Sequence, residues 1–129
     1  MKNILIFLVV IAVVAVTGYV IKGRTATAEI LGAPLSGETR TITVAEALNH
    51  SSNGHTHVVL RGALDTKCPT SGCWFYLKDD TGTIRVETKF ADFNVVNVRA
   101  GRNVTVHGAL IKPGNGEAEL SAAGMIIER

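Results

Sequence analysis

An uninterrupted apolar run near the amino terminus is the first pattern along the chain. No polar residue occurs between Ile4 and Val16, and the run continues to Ile21 before it meets Lys22 and Arg24. At 1.5 Å per residue, a helix over this run spans about 27 Å, close to the hydrocarbon thickness of a bilayer. The pattern predicts one transmembrane or signal helix, and we assign residues 1–28 to it.

Two interpretations of this helix stay open. Ala26-Thr27-Ala28 matches the small-x-small pattern of a signal cleavage site, which favours a secreted protein. The apolar run exceeds the roughly 7–15 residues of an ordinary signal, which favours an uncleaved anchor that contacts the membrane through residues 4–21. Either interpretation places the remaining chain in the cell envelope, anchored in the inner membrane or secreted to the periplasm.

Beyond residue 28 the pattern predicts a linker and then a short helix. Residues 29–42 show no periodicity, and we assign them to a linker. Thr43 followed three residues later by Glu46 is a capping box, a pattern typical of a helix start. The helix is expected to end within residues 49–54.

From residue 57 the apolar positions alternate with period two, which is typical of half-buried strands. Five segments follow this pattern: 57–64, 74–77, 83–87, 104–111 and 119–127. An irregular stretch, 89–100, separates the third from the fourth. This order predicts an all-β domain over residues 43–129, a five-stranded Greek-key barrel of the OB-fold type preceded by the short helix. An open five-stranded sandwich is the alternative. Gly62 and Gly108 lie where a small barrel bends sharply.

Composition narrows the function classes. The chain has 129 residues, of which 47% are apolar and 19% charged, which suits one folded domain. No Ser-His-Asp arrangement or glycine-rich phosphate loop is visible, so we expect a binding protein and not an enzyme.

The formal charge of +2 includes three cations within the first 28 residues, and residues 29–129 hold 10 basic against 11 acidic residues. Nucleic-acid binding is therefore not expected, since it requires clustered cations.

The candidate chemistry centres on Cys68 and Cys73, which flank four residues at the join of the first two strands. Neighbouring strands hold such a pair close enough for a disulfide, which an oxidising compartment favours. A soft metal ion such as Cu(I) or zinc is the second possibility, although two thiolates do not complete a zinc site. Thiol exchange is the third, without the usual Cys-x-x-Cys spacing.

The aromatic residues of the second strand indicate a ligand face. Alternation sends Phe75 to one side of the sheet, and Trp74 and Tyr76 to the other. In OB-folds, the second and third strands carry the ligand face, framed by the loops after the first and fourth strands. We therefore assign Trp74, Tyr76 and Lys112 to this face.

Histidines form a possible second metal cluster, made of His50, His55 and His57. Solvated loop histidines are the alternative. An extended strand rises about 3.3 Å per residue, so this cluster lies about 30 Å from the cysteine segment. His107 alternates outward from its apolar neighbours and is expected at the surface.

The stretch from Arg61 to Leu77, with Cys68 and the sequence Gly72-Cys73-Trp74, resembles a largely uncharacterised family of exported bacterial OB-fold proteins. That family has Cys-x4-Cys ending in Gly-Cys-Trp, and its fourth strand is similar to residues 104–110. The resemblance covers residues 58–127 and implies an envelope location and an architecture more than a reaction.

Two hypotheses follow. The first is an exported, membrane-tethered, non-catalytic OB-fold module that binds a small ligand, a metal ion or a protein partner. The alternative is a periplasmic thiol redox or copper- or zinc-handling protein that uses Cys68 and Cys73. A nucleic-acid-binding OB-fold ranks below both.

Overall fold

A computed structural model describes residues 1–22, 28–37, 39–50, 56–114 and 116–128. Two helices and six strands follow one another within these residues. The helices are α1 (Lys2–Lys22) and α2 (Val44–Asn49), and the strands are β1 (Glu29–Gly32), β2 (His57–Lys67), β3 (Trp74–Asp79), β4 (Gly82–Glu87), β5 (Asn103–Ile111) and β6 (Glu119–Ile127). The five predicted strands therefore all form, and a sixth is added.

Strands β2 to β6 close into a barrel. Antiparallel pairing joins β2 to β3 and to β5, β3 to β4, and β5 to β6, and a short parallel pairing of β4 with β6 completes the ring. Every barrel strand has two neighbours, so the five strands form a ring, in agreement with the OB-fold prediction. The alternative of an open sandwich is wrong.

Strand β1 corrects part of the linker assignment. Residues Glu29–Gly32 pair antiparallel with β6, with Glu29 opposite Ile127. Strand β4 reaches β6 only at Leu120 and Ser121, so the carboxyl half of β6 has a free edge that β1 covers. A four-residue edge strand is too short for a period-two pattern to stand out, which explains why the sequence suggested a linker.

Helix α1 contains the apolar run that begins at Ile4. Its large side chains from Ile4 to Val16 are exposed. Among the residues that the structure describes, no helix combines the length and the apolar character required to cross a membrane. Most of the predicted cleavage motif, residues 26 and 27, lies outside the described residues.

Helix α2 begins where the sequence predicted, with Thr43 as its N-cap. The Thr43 hydroxyl accepts a hydrogen bond from the Glu46 amide at 3.2 Å. Two further amides at this end donate to the β3–β4 turn: Val44 N–H to Asp79 Oδ2 and Ala45 N–H to Thr81 Oγ1, each at 2.9 Å. The turn therefore fixes the helix against one end of the barrel, because it satisfies amides that no residue of the helix itself can satisfy.

The barrel interior is filled by inward-facing residues of every barrel strand. The largest fully buried side chains are Phe75, Leu60, Leu64, Leu77, Ile84, Leu110, Leu120 and Met125. Val95 and Val98, from the irregular insert between β4 and β5, also join this core. The insert therefore closes the end of the barrel at which β3 begins.

Candidate functional site: the cysteine loop and the outer face of β3 and β4

The cysteine loop, residues 68–73, joins β2 to β3 in a conformation fixed by backbone bonds. The Cys68 amide donates to the Trp74 carbonyl at 3.0 Å, and the Thr88 amide donates to the Cys73 carbonyl at 2.8 Å. Gly72 has φ +60°, and a Cβ there would lie 2.5 Å from the Val96 nitrogen. Only glycine suits this position, because its backbone is left-handed and the insert packs directly on it.

The Lys67 side chain, directly before this loop, is hydrogen-bonded to the irregular insert between β4 and β5. Its ammonium group donates to the carbonyls of Val95 at 3.2 Å and Val96 at 2.7 Å, and also to that of Val98. The Gly72 carbonyl accepts from the Val95 amide at 3.0 Å. The insert and the cysteine loop are therefore one ordered unit at the end of the barrel.

The two cysteine sulfurs contact the same hydroxyl group, that of Ser71. Cys68 Sγ is 3.4 Å from Ser71 Oγ, and Ser71 Oγ is 3.2 Å from Cys73 Sγ. Cys68 Sγ also contacts Thr70 Oγ1 at 3.4 Å. Both residues are half-buried free thiols in the structure, so the expected disulfide stays a prediction.

Hydrogen bonding at this loop favours ionisation of Cys68. The hydroxyls of Ser71 and Thr70, followed by the backbone amides of the same two residues, lower the pKa of the Cys68 thiol to about 5, against a small opposing effect of burial. Donors aimed at a sulfur stabilise its charged form, because the thiolate accepts hydrogen bonds better than the thiol does. This lowered pKa favours the thiolate form of Cys68 at neutral pH.

The outer face of β3 and β4 carries an aromatic and charged cluster directly beside this loop. Trp74 and Tyr76 meet edge to face, with ring centroids 5.8 Å apart. The Arg85 guanidinium lies 4.8 Å from the centroid of the Trp74 ring. Register explains the contacts, since Trp74 is opposite Glu87 and Tyr76 is opposite Arg85.

Two carboxylates hold Arg85 in place. Glu87 Oε1 is 2.7 Å from Arg85 Nη2, and Glu119 Oε1 is 3.9 Å from Arg85 Nε. The hydrogen bond to Glu87 is the main reason why the pKa of Arg85 is raised. The cluster contains one cation and two anions, so its net charge is negative.

The sequence missed Arg85, Glu87 and Glu119. The signal was available, because Arg85 and Glu87 alternate with the buried Ile84 and Val86 and must therefore share the outer face of β4. The sequence does not give the register of β4 against β3, and this register places the side chains against Trp74 and Tyr76.

Lys112, predicted on the ligand face, is not brought to this cluster. It follows β5 and lines a depression with Leu48, Asn49 and Glu117 at the end of α2. That depression adjoins the β3–β4 turn, whereas the cysteine loop precedes Trp74 at the opposite end of β3. The two framing loops therefore lie at opposite ends of the face.

The histidines form a pair that the sequence did not predict. His107 was expected at the surface, but it is 6% exposed. Its Nε2–H donates to the Ala33 carbonyl at 2.9 Å, which leaves Nδ1 to accept from His57 Nε2–H at 3.1 Å. The surface prediction is wrong because the segment that follows β1 covers this part of β5.

The predicted second metal cluster is not assembled among the described residues. His57 contacts His107, His50 is exposed at the end of α2, and His55 lies outside the described residues. Burial first, then the charge of His107, lowers the pKa of His57. In the part of the chain that the structure describes, no group of three or more His, Cys, Asp or Glu residues could hold a metal ion.

Comparisons with known proteins agree with this architecture. The hypothetical protein YgiW from E. coli has a similar structure, with a TM-score of 0.51 at 22% identity over 72% of this chain and 100% of YgiW. At that identity the likeness concerns the fold alone. No curated protein matches the chain. A family model described as "Bacterial OB fold (BOF) protein" matches residues 14–122, and the chain therefore belongs to the bacterial OB-fold family.

Proposed function

We propose that the chain is a non-catalytic OB-fold module of the cell envelope that binds a small ligand or a partner protein on the outer face of β3 and β4. The observation that carries this proposal is the ordered cluster of Trp74, Tyr76 and Arg85 on the strands that OB-folds use for ligands. These side chains hold one another in position before a ligand arrives. Binding therefore loses less side-chain entropy.

Charge narrows the chemistry of the ligand. Arg85 is already paired with Glu87 and Glu119, so an incoming phosphate or carboxylate would compete with two fixed anions. A neutral or cationic group has no such anions to displace, and it would contact the half-buried Trp74 ring beside Arg85, which already lies over one face of that ring. The ligand is therefore neutral or cationic, and nucleic acid is not the partner.

Trp74 is the single tryptophan of the chain, so its fluorescence reports directly on this face. We expect neutral or cationic molecules, screened beside anionic ones of equal size, to change the Trp74 emission on binding. Tyr76→Ala should weaken that binding at least tenfold, which corresponds to about 1.4 kcal/mol. Phe90→Ala, at an exposed aromatic residue in the insert, is the matched control and should leave the affinity unchanged. Equal affinity of the two variants, or a preference for anions, would contradict the proposal.

Export by the amino-terminal helix is the second part of the proposal. Its support is the apolar run from Ile4 to Ile21. We expect the native protein in the envelope fraction, where an intact mass starting at Met1 identifies an anchor and a mass starting at Glu29 identifies cleavage after residue 28. Recovery of the protein in the cytosolic fraction would contradict both forms of export.

A further inference from the structure

We propose that Cys68 and Cys73 form a thiol–disulfide exchange site, in which Cys68 attacks a small disulfide and Cys73 resolves the mixed disulfide that results. This reaction is stoichiometric, since the protein itself is oxidised, and it goes beyond the binding function proposed above. It uses different side chains, on the loop and not on the strands, so the two proposals can fail independently.

Proximity of the sulfurs is the first support. Both lie within hydrogen-bond distance of Ser71 Oγ, at 3.4 and 3.2 Å. The Cys68 amide donates to the Trp74 carbonyl, so the two cysteines lie at the base of the loop, where β2 and β3 meet. Both cysteines are half-buried and accessible from the surface.

Asymmetry between the two sulfurs is the second support. The Cys68 sulfur contacts two hydroxyls, those of Thr70 and Ser71, whereas the Cys73 sulfur contacts that of Ser71. The Ser71 hydroxyl donates to the Cys73 sulfur in the structure, and because a hydroxyl group rotates it can donate to a Cys68 thiolate instead, beside the Thr70 hydroxyl. Cys68 is therefore the nucleophile, and Cys73 keeps its proton until the second step.

The loop is also anchored at both ends, which keeps the sulfurs in position. Gly72 is held by the Val95 amide and the Thr88 hydroxyl, and Lys67 fixes the insert behind it. Stabilisation of the Cys68 thiolate, whose pKa is about 5, favours the reduced form of the pair. A disulfide between these residues should therefore be easier to reduce than one between thiols of ordinary pKa.

The reaction balances with a disulfide as the single co-reactant. The Cys68 thiolate attacks one sulfur of R–S–S–R, its S–S bond breaks, and one thiolate RS⁻ leaves. That thiolate takes up the Cys73 proton, and the Cys73 thiolate then attacks the Cys68 sulfur and expels the second RS⁻. Two electrons pass from the protein to the small disulfide, which becomes one thiol and one thiolate while the protein becomes a disulfide. The second RS⁻ takes its proton from the solvent, which received one when Cys68 ionised.

Oxidised glutathione is the probe for the test, followed by intact mass on the full-length reduced protein. The wild type should lose two hydrogens without retaining glutathione. Cys73→Ser should accumulate one glutathione adduct, and Cys68→Ser should react at least tenfold more slowly. Equal rates for the two variants, a stable adduct on the wild type, or a protein disulfide that resists reduced glutathione would overturn the proposal.

The pH dependence of the alkylation rate distinguishes a Cys68 thiolate from an ordinary surface thiol. In Cys73→Ser, the rate with iodoacetamide at pH 6 should stay within about twofold of the rate at pH 8, whereas the rate of an ordinary thiol falls by about 100-fold. Ser71→Ala should move the midpoint of this profile to higher pH. Ser36→Ala, the same substitution at an exposed position outside the loop, should not move it. An ordinary profile in Cys73→Ser would contradict the assigned role of Cys68.

Discussion

Gly108→Ala is expected to lower the free energy of unfolding by about 3 kcal/mol, at the upper end of the usual cost of overpacking. A Cβ at Gly108 would overlap the Ser121 carbonyl oxygen and lie 2.8 Å from Ala122 Cα. Both obstacles are backbone atoms of β6, so no rotation of a side chain relieves them. The register of β5 against β6 shifts between His107 and Gly108, and the two strands cross here at close range.

Gly82→Ala is the matched control, measured by urea denaturation beside Gly108→Ala. A Cβ at Gly82 would meet only side-chain atoms of Val44 and Leu48, at 3.5 and 3.7 Å, which is ordinary contact. Its effect should be below about 1 kcal/mol. Similar losses of stability in the two variants would show that β5 and β6 do not approach each other as closely as the structure has them.

Alternation was sufficient to predict the five barrel strands, although it left an open sandwich as the alternative to the barrel. Inward Val58, Leu60 and Leu64 fix the buried face of β2, and each of the other predicted strands shows the same period. Gly62 and Gly108 were predicted at bends, and both lie where another strand passes too close for a Cβ. These features are local in the sequence, because a strand reveals its buried side within a few residues.

Long-range pairing was not predictable in the same way. Strand β1 joins β6 over a separation of almost the whole domain, and no property of its four residues identifies the partner edge. The burial of His107 depends on the same docking, because its hydrogen-bond acceptor is the Ala33 carbonyl directly after β1. One unpredicted strand therefore accounts for both errors.

The candidate site was predicted in its parts and not in its assembly. Cys68, Cys73, Trp74 and Tyr76 were identified from loop position and alternation. The Ser71 bridge between the sulfurs depends on the turn conformation set by Gly72, and the Arg85 contacts depend on the β3–β4 register. Lys112 was assigned by analogy with other OB-folds. The analogy identified the loop that carries Lys112, but it did not show how far this loop lies from the aromatic residues.

Phe75→Ala should produce the largest loss of stability, about 3–5 kcal/mol, because it empties the centre of the barrel. The Phe75 side chain is fully buried, between two residues whose side chains lie on the outer face. Urea denaturation checks this value, and Phe75→Leu supplies a smaller change of the same kind should the alanine variant not fold. Phe90→Ala, with Phe90 77% exposed, should change the free energy of unfolding by less than about 0.5 kcal/mol.

Comparison with Trp74→Ala separates the two faces of β3. Trp74 packs against Tyr76 and Arg85 on the outer face, so its loss should cost less stability than the loss of Phe75 while it abolishes ligand binding measured by calorimetry. Phe75→Leu should show the opposite result, with reduced stability and retained affinity. If both variants lost stability and affinity to the same degree, the outer face would be a structural extension of the core, and the division of β3 into a buried and a ligand-binding side would be wrong.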